Sequence, residues 1–169
     1  MAAGLVELEV LGVRRQTSVD QVVVLLLDVS GRRLLPVVVG ATEGAAIAAG
    51  QAGVVPPRPM THDLLVSVLS TCGVEVERVE IVELREGVFH AALVLDTGDR
   101  VDSRASDAVA VAVRVGCPVL CAPDVLDESS LEVEGTTPED ELAEFRAFLE
   151  NVTPEDFENA PPEGPTEGP

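Results

Sequence analysis

The sequence has no lysine, no tryptophan and no tyrosine, and only two histidines, three cysteines and four phenylalanines. Each scarcity excludes something. Without Trp or Tyr the core must be built from Val, Leu, Ile and Ala, and the chain lacks the aromatic platform on which single-stranded nucleic acid stacks. Cys72, Cys117 and Cys121 make an odd count, which argues against a disulfide framework. Cys117 and Cys121 are separated by three residues and the chain has only two histidines, too little for a zinc site, so the cysteines read as reduced core thiols. No apolar run approaches the roughly 18 residues that span a bilayer, so no membrane partner is expected. The N-terminus has Glu7 where a secretory signal would continue its apolar stretch, and the expected compartment is the cytoplasm.

Charge is abundant but one-sided. There are 30 acidic and 11 basic residues, a net of -19, and every basic residue is arginine. Residues 1–123 hold 15 acids and 10 arginines, whereas residues 124–169 hold 15 acids and one arginine, Arg146. A mildly acidic domain is therefore followed by a strongly acidic tail, and the Pro/Gly/Glu-rich stretch from Ala160 is expected to be disordered. The tail fits a partner surface or a polyanion mimic. Such a field repels nucleic acid at long range, so any argument for that partner must come from local residues.

The apolar residues, 46% of the chain, are patterned as a folded domain. Val6, Leu8 and Val10 alternate with acids, the mark of a half-buried strand. Residues 22–39 read as a hairpin turning at Ser30-Gly31, with Pro36 expected at an edge or bulge. Thr42 is the expected N-cap of a small-residue helix, Gly44 to Gly50, able to pack very closely. Thr61 is expected to cap a helix stopped by Gly73, and Ser106 one stopped by Gly116. Strands are expected at about 79–84, 88–95 and 119–121, with a bulge or strand start near Glu77 and turns at Glu86-Gly87 and Asp96 to Asp99. A capped acidic helix is expected from Thr137, with Leu142, Phe145 and Leu149 on one face. No long internal repeat is evident, though small helix-plus-strand units recur. Six or seven strands, about three core helices and a majority of hairpins give an α+β fold with a mixed, mainly antiparallel sheet in a single domain. The organisation is a domain over 1–130, an acidic helical extension over 131–159 and a disordered tail over 160–169.

Polar residues group at helix starts. Thr61-His62-Asp63 sets an imidazole beside a carboxylate, which suits a general base or metal ligand and equally suits a cap and a dipole partner. In Asp102-Ser103-Arg104-Ala105-Ser106-Asp107 two carboxylates suit a divalent cation and an arginine suits phosphate; an Asp102–Arg104 ion pair with Ser106 capping accounts for them as well. Glu43 is a helix-start acid. Arg58 sits in a stiff Pro-rich loop, available to phosphate or to a nearby acid. There is no P-loop, Gly-x-Ser-x-Gly, dinucleotide fingerprint or His-Glu-x-x-His.

Read together in order, four segments resemble a known family. They are Leu35 to Ala48, Arg58-Pro59-Met60-Thr61-His62-Asp63-Leu64, Gly87-Val88-Phe89-His90-Ala91, and Asp102 to Arg114. They look like the motifs of the bifunctional nuclease (BFN) domain family over about residues 5–130, and the tail is similar to the end of actinobacterial members. The chain departs from the family pattern at Val37-Val38-Val39, Gly44, His90 and Ala105, but keeps Glu43, Arg58, His62, Asp63, Arg104, Ser106 and Asp107. The resemblance implies an α+β domain that hydrolyses DNA and RNA. Carried over by position, it implies Mg2+ or Mn2+ held by Asp63, Asp102 and Asp107, together with Glu43. His62, Asp63, Asp107 and Glu43 would then be catalytic, and Arg58, Arg104 and Ser106 would hold the phosphate. The competing reading is a non-catalytic regulatory or scaffold domain that binds a small anion or a protein partner. The small-residue helix and exposed sheet edges point to a homodimer or higher homo-oligomer.

Overall fold

A computed structural model of the chain describes residues 4–133. The expected helix from Thr137 and the tail from Ala160 lie outside the described residues. Eight strands form one sheet: β1 (Val6–Gln16), β2 (Gln21–Asp28), β3 (Arg33–Val39), β4 (Val76–Arg85), β5 (Val88–Leu95), β6 (Arg100–Arg104), β7 (Val119–Cys121) and β8 (Leu131–Glu132). Four helices accompany them: α1 (Ala41–Gln51), α2 (Thr61–Thr71), α3 (Ala105–Val115) and α4 (Pro123–Ser129). The strand order is β6-β5-β4-β7-β1-β2-β3-β8. Every pairing is antiparallel except β4 with β7. The expected mixed, mainly antiparallel α+β sheet is therefore the observed one.

The topology is a doubled unit. An antiparallel meander, β1–β2–β3, runs into α1; a second, β4–β5–β6, runs into α3; and β7 joins the two meanders at the middle of the sheet. The sequence showed recurring helix-plus-strand units but no long repeat, because the two units share a path rather than a sequence period. The exception is short. Ala41-Thr42-Glu43 opens α1 and Ala105-Ser106-Asp107 opens α3, each directly after its third strand.

Local chemistry sets the register. The turn between β4 and β5 puts Glu86 and Gly87 at φ of 52° and 77°, the left-handed pair that suits a two-residue hairpin. The register shifts between Val76 and Arg78, at the position expected near Glu77. In β1 the shift lies between Val10 and Gly12, and Gln51 of α1 donates to the Val10 carbonyl at 2.8 Å. Pro36 faces Leu25 on β2, while β8 pairs only with Arg33 and Leu34, so Pro36 lies on an edge among the described residues.

The expected caps were misplaced. The N-caps are Gly40, Met60 and Arg104, all with extended backbone, and Thr42, Thr61 and Ser106 lie inside the first turns. β6 runs straight into α3, and a single residue, Gly40, separates β3 from α1, so where each strand ends decides where its helix begins. α4, opened by Pro123, and the two-residue β8 were not foreseen; Leu131 and Glu132 thus belong to the sheet rather than to a helical extension.

The core gathers on α3, whose Ala108, Val109, Ala110, Val111 and Ala112 are all buried among Leu26, Leu35, Ile47, Val79, Ile81 and Leu126. Burying each large side chain contributes about 1.5–3 kcal/mol. Gly44 and Gly50 spend the small-residue face of α1 inside the domain. A Cβ on Gly44 would lie 2.5 Å from Val22 Cγ1, and one on Gly50 would lie 2.7 Å from Val113 Cγ2. That face is therefore used within the chain.

Two buried acids carry a pH prediction. Asp28 accepts from Ser30 Oγ at 2.7 Å, the Arg32 amide at 3.0 Å and Arg33 Nε at 3.2 Å. Glu80 is held by Arg78 at 2.8 Å and Arg100 at 2.6 Å. Burial pushes both carboxyls up, but these donors outweigh it and hold both below the usual carboxylate range. Groups with a depressed folded pKa add stability above the unfolded value and lose it as pH falls through the folded one. Glu80→Gln is therefore expected to cost stability at pH 7 and progressively less below about pH 4. Melting temperatures of wild type and variant across that range should converge; a constant difference would refute the assignment.

Candidate functional site

Helices α1, α2 and α3 each carry a single acid, always at the third helical position: Glu43, Asp63 and Asp107. A carboxylate there faces the positive end of the helix dipole. Two arginines of α3 and its N-cap tie these helix starts together.

His62 Nε2 lies 2.9 Å from Asp107 Oδ1. Arg104 Nε donates to Asp107 Oδ2 at 2.7 Å, and Arg104 Nη2 donates to Glu43 Oε1 at 3.2 Å. The result is a continuous chain, His62–Asp107–Arg104–Glu43, that crosses all three helix starts. An ionised carboxylate only accepts, so the shared proton sits on His62 Nε2, which leaves Nδ1 as the acceptor nitrogen of the uncharged ring, with no partner among the described residues. Burial pushes the Asp107 carboxyl up, but Arg104 and His62 outweigh it and hold it below the usual carboxylate range. Asp107 therefore stays ionised, as a group that orients an imidazole must. The His62 side chain is 13% exposed and Arg104 63%, so the imidazole is sheltered and the guanidinium accessible.

Asp63 belongs to a neighbouring network. Arg114 Nε donates to Asp63 Oδ1 at 2.7 Å, and Asp63 Oδ2 accepts the Met60 amide at 3.0 Å. The Arg114 bond, reinforced by the Met60 amide, lowers the Asp63 pKa. Arg114 also donates to the carbonyls of Ala46 and Ala110 at 3.0 and 2.8 Å, locking α1, α2 and α3 together. Gly50 makes this possible, since a Cβ there would lie 2.8 Å from Arg114 Nη1. Gly40 does the same for Glu43, whose carboxylate folds back over the space a Cβ would fill.

The structure thus brings His62, Asp107, Arg104 and Glu43 together, with Asp63 beside them on α2. Arg58 is exposed and has no hydrogen-bond or ion-pair partner among the described residues. Ser106 is half-buried and, with Arg104, Val37, Val39 and Phe89, lines a groove of about 480 Å³. Asp102 is exposed on β6 opposite Ala92, outside the network. Sequence reasoning passed over Arg114. Its signal was present: it lies seven residues after Asp107, two helical turns on the same face, in an otherwise apolar helix.

Asp63, Asp102 and Asp107 do not converge on one point. Among the described residues no group of three His, Cys, Asp or Glu side chains is placed to hold a metal ion. Asp63 and Asp107 each spend oxygens on an arginine, and a guanidinium has no lone pair to offer a metal. This arrangement does not fit Mg2+ or Mn2+. No helix among the described residues is long and apolar enough to cross a membrane.

The sequence model for the family described as bifunctional nuclease domain matches residues 24–134. Two Mycobacterium tuberculosis proteins, each described as uncharacterized, from strains CDC 1551 / Oshkosh and H37Rv, are similar to the chain. Each is 42% identical over 159 residues, covering 89% of this chain and 97% of the relative.

Proposed function

The chain belongs to the bifunctional nuclease domain family, and from that premise we propose that it hydrolyses phosphodiester bonds of DNA and RNA at the joined starts of α1, α2 and α3. The observation that carries the reading is the His62–Asp107 pair at 2.9 Å, with Arg104 on the other Asp107 oxygen. It supplies a sheltered base of fixed tautomer beside an accessible, permanently charged donor. Those are the two parts phosphoryl transfer to water needs most, a proton acceptor and a clamp for phosphate charge.

In this reading a water oxygen forms the new bond to phosphorus while its proton passes to His62 Nδ1. The sugar oxygen leaves and is protonated from His62 or solvent. Asp107 orients the imidazole and stabilises its protonated form. Arg104 faces the phosphate, Arg58 reaches it from the loop before α2, and the Ser106 hydroxyl lies beside Arg104 in the groove. Glu43 and Asp63 position Arg104 and Arg114.

The test is cleavage of single-stranded DNA and RNA by the purified protein beside an identically prepared His62→Ala, Asp107→Ala double variant. Cleavage by wild type alone is the expected result. Equal traces in both preparations would identify a contaminant and would favour a regulatory or scaffold domain that uses the same arginines to bind an anion or a protein partner.

A further inference from the structure

The family resemblance implies a divalent cation, and the residues present do not fit one. What occupies the space between the two acids of the doubled unit is a guanidinium. Glu43 and Asp107 stand at equivalent positions of α1 and α3, and Arg104 spans them, with Nε 2.7 Å from Asp107 and Nη2 3.2 Å from Glu43. We propose that Arg104 takes the place of the divalent cation, so that hydrolysis at this site proceeds without a bound metal. The inference rests on the hydrolase reading above.

Three observations support it. First, a cation bound between two carboxylates neutralises them and presents positive charge outward; Arg104 does both, and it is charged at every physiological pH. Second, a guanidinium carries five N–H donors. Asp107 and Glu43 take one each, which leaves three for phosphate oxygens. Because Arg104 is 63% exposed and lines the groove beside Ser106, those donors are reachable. Third, the other task of a catalytic metal, making water nucleophilic near neutral pH, already has an agent. His62, with Nε2 committed to Asp107, keeps Nδ1 to accept the proton.

Two measurements on the full chain test this. The first is Mn2+ binding to wild type, Asp107→Asn and Glu43→Gln, followed by the electron-paramagnetic signal of free Mn2+. The three proteins share every other carboxylate and none has a built cation site, so identical curves are expected. A stoichiometric site in wild type that either substitution abolishes would overturn the proposal. This titration needs no turnover and so stands even if hydrolysis is never seen.

The second is cleavage in excess EDTA. Undiminished cleavage is expected. Loss of cleavage on chelation, with recovery on adding Mg2+ or Mn2+, would overturn the proposal while leaving the hydrolase reading intact. Arg104→Ala should lower kcat about 10²–10³-fold, the usual cost of removing a charge-stabilising donor. Low concentrations of guanidinium ion should restore part of it, since a free guanidinium can enter the vacated space. Lost activity that guanidinium leaves untouched but Mn2+ restores would also overturn the proposal.

Discussion

Asp107→Asn is expected to lower cleavage about 10²–10⁴-fold in a protein that remains folded. The substitution keeps the size of the side chain and removes its charge. A carboxamide at this position that turns its N–H2 toward His62 forces the imidazole to accept at Nε2. The proton then moves to Nδ1, and the free base is lost. A carboxamide that turns its oxygen toward His62 keeps the tautomer but no longer stabilises the imidazolium, and it faces Arg104 with a donor. The first orientation keeps the bond to Arg104 but reverses the tautomer; the second keeps the tautomer but breaks the chain at Arg104. His62→Ala should cost a similar amount, and the double variant should be no worse than the more damaging single change, because the two side chains act as one unit. The measurement is kcat/KM on single-stranded DNA for all four proteins, with circular dichroism to verify folding. Additive losses, or an Asp107→Asn protein of wild-type activity, would remove the pair from the mechanism.

Gly44→Val is expected to unseat α1 from the sheet. A Cβ at this buried position would meet Val22 Cγ1 at 2.5 Å and Val13 Cγ1 at 3.3 Å. Val22 lies in β2, which is paired on both sides, with β1 and with β3, so the strand cannot retreat. The helix must lift instead. Overpacking of this kind costs about 1–3 kcal/mol, and a chain of this size loses about 2–4 °C of Tm per kcal/mol. The control is Ala45→Val on the exposed face of the same helix, where only helix propensity changes, by less than about 0.7 kcal/mol. Calorimetric melting of the two variants should separate them clearly, and Gly44→Val should also lose activity because Glu43 travels with the helix. Equal melting temperatures would show that α1 is not seated on β1 and β2 through this glycine.

Much of this molecule is written locally. Alternating residues at Val6 to Val10, the apolar run at Val22 to Leu27 and the turn glycines at Gly73, Gly87 and Gly116 are short-range signals, and the strands and helix stops fall where those signals put them. The acids at Glu43, Asp63 and Asp107 were legible as helix-start residues for the same reason, since the dipole preference acts within one turn. The caps were not. Thr42, Thr61 and Ser106 are good capping residues, but where β3 and β6 end decides where their helices begin, and that is a property of the sheet.

The site shows the same division. The residues of the network, His62, Arg104, Asp107 and Glu43, all stand in the segments that resemble the family. Only tertiary structure decided their pairing. Asp102 and Asp107, five residues apart, part company because one lies on β6 and the other in the first turn of α3. Glu43 and Arg104, 61 residues apart, meet because two meanders of the same path deliver their helices side by side. Arg114 gains its role only when α1, α2 and α3 converge around it. Charge acts through space while periodicity acts along the chain. A row of acids and arginines can therefore be read from the sequence, but which arginine neutralises which acid, and whether any carboxylate is left for a metal, follows from the fold.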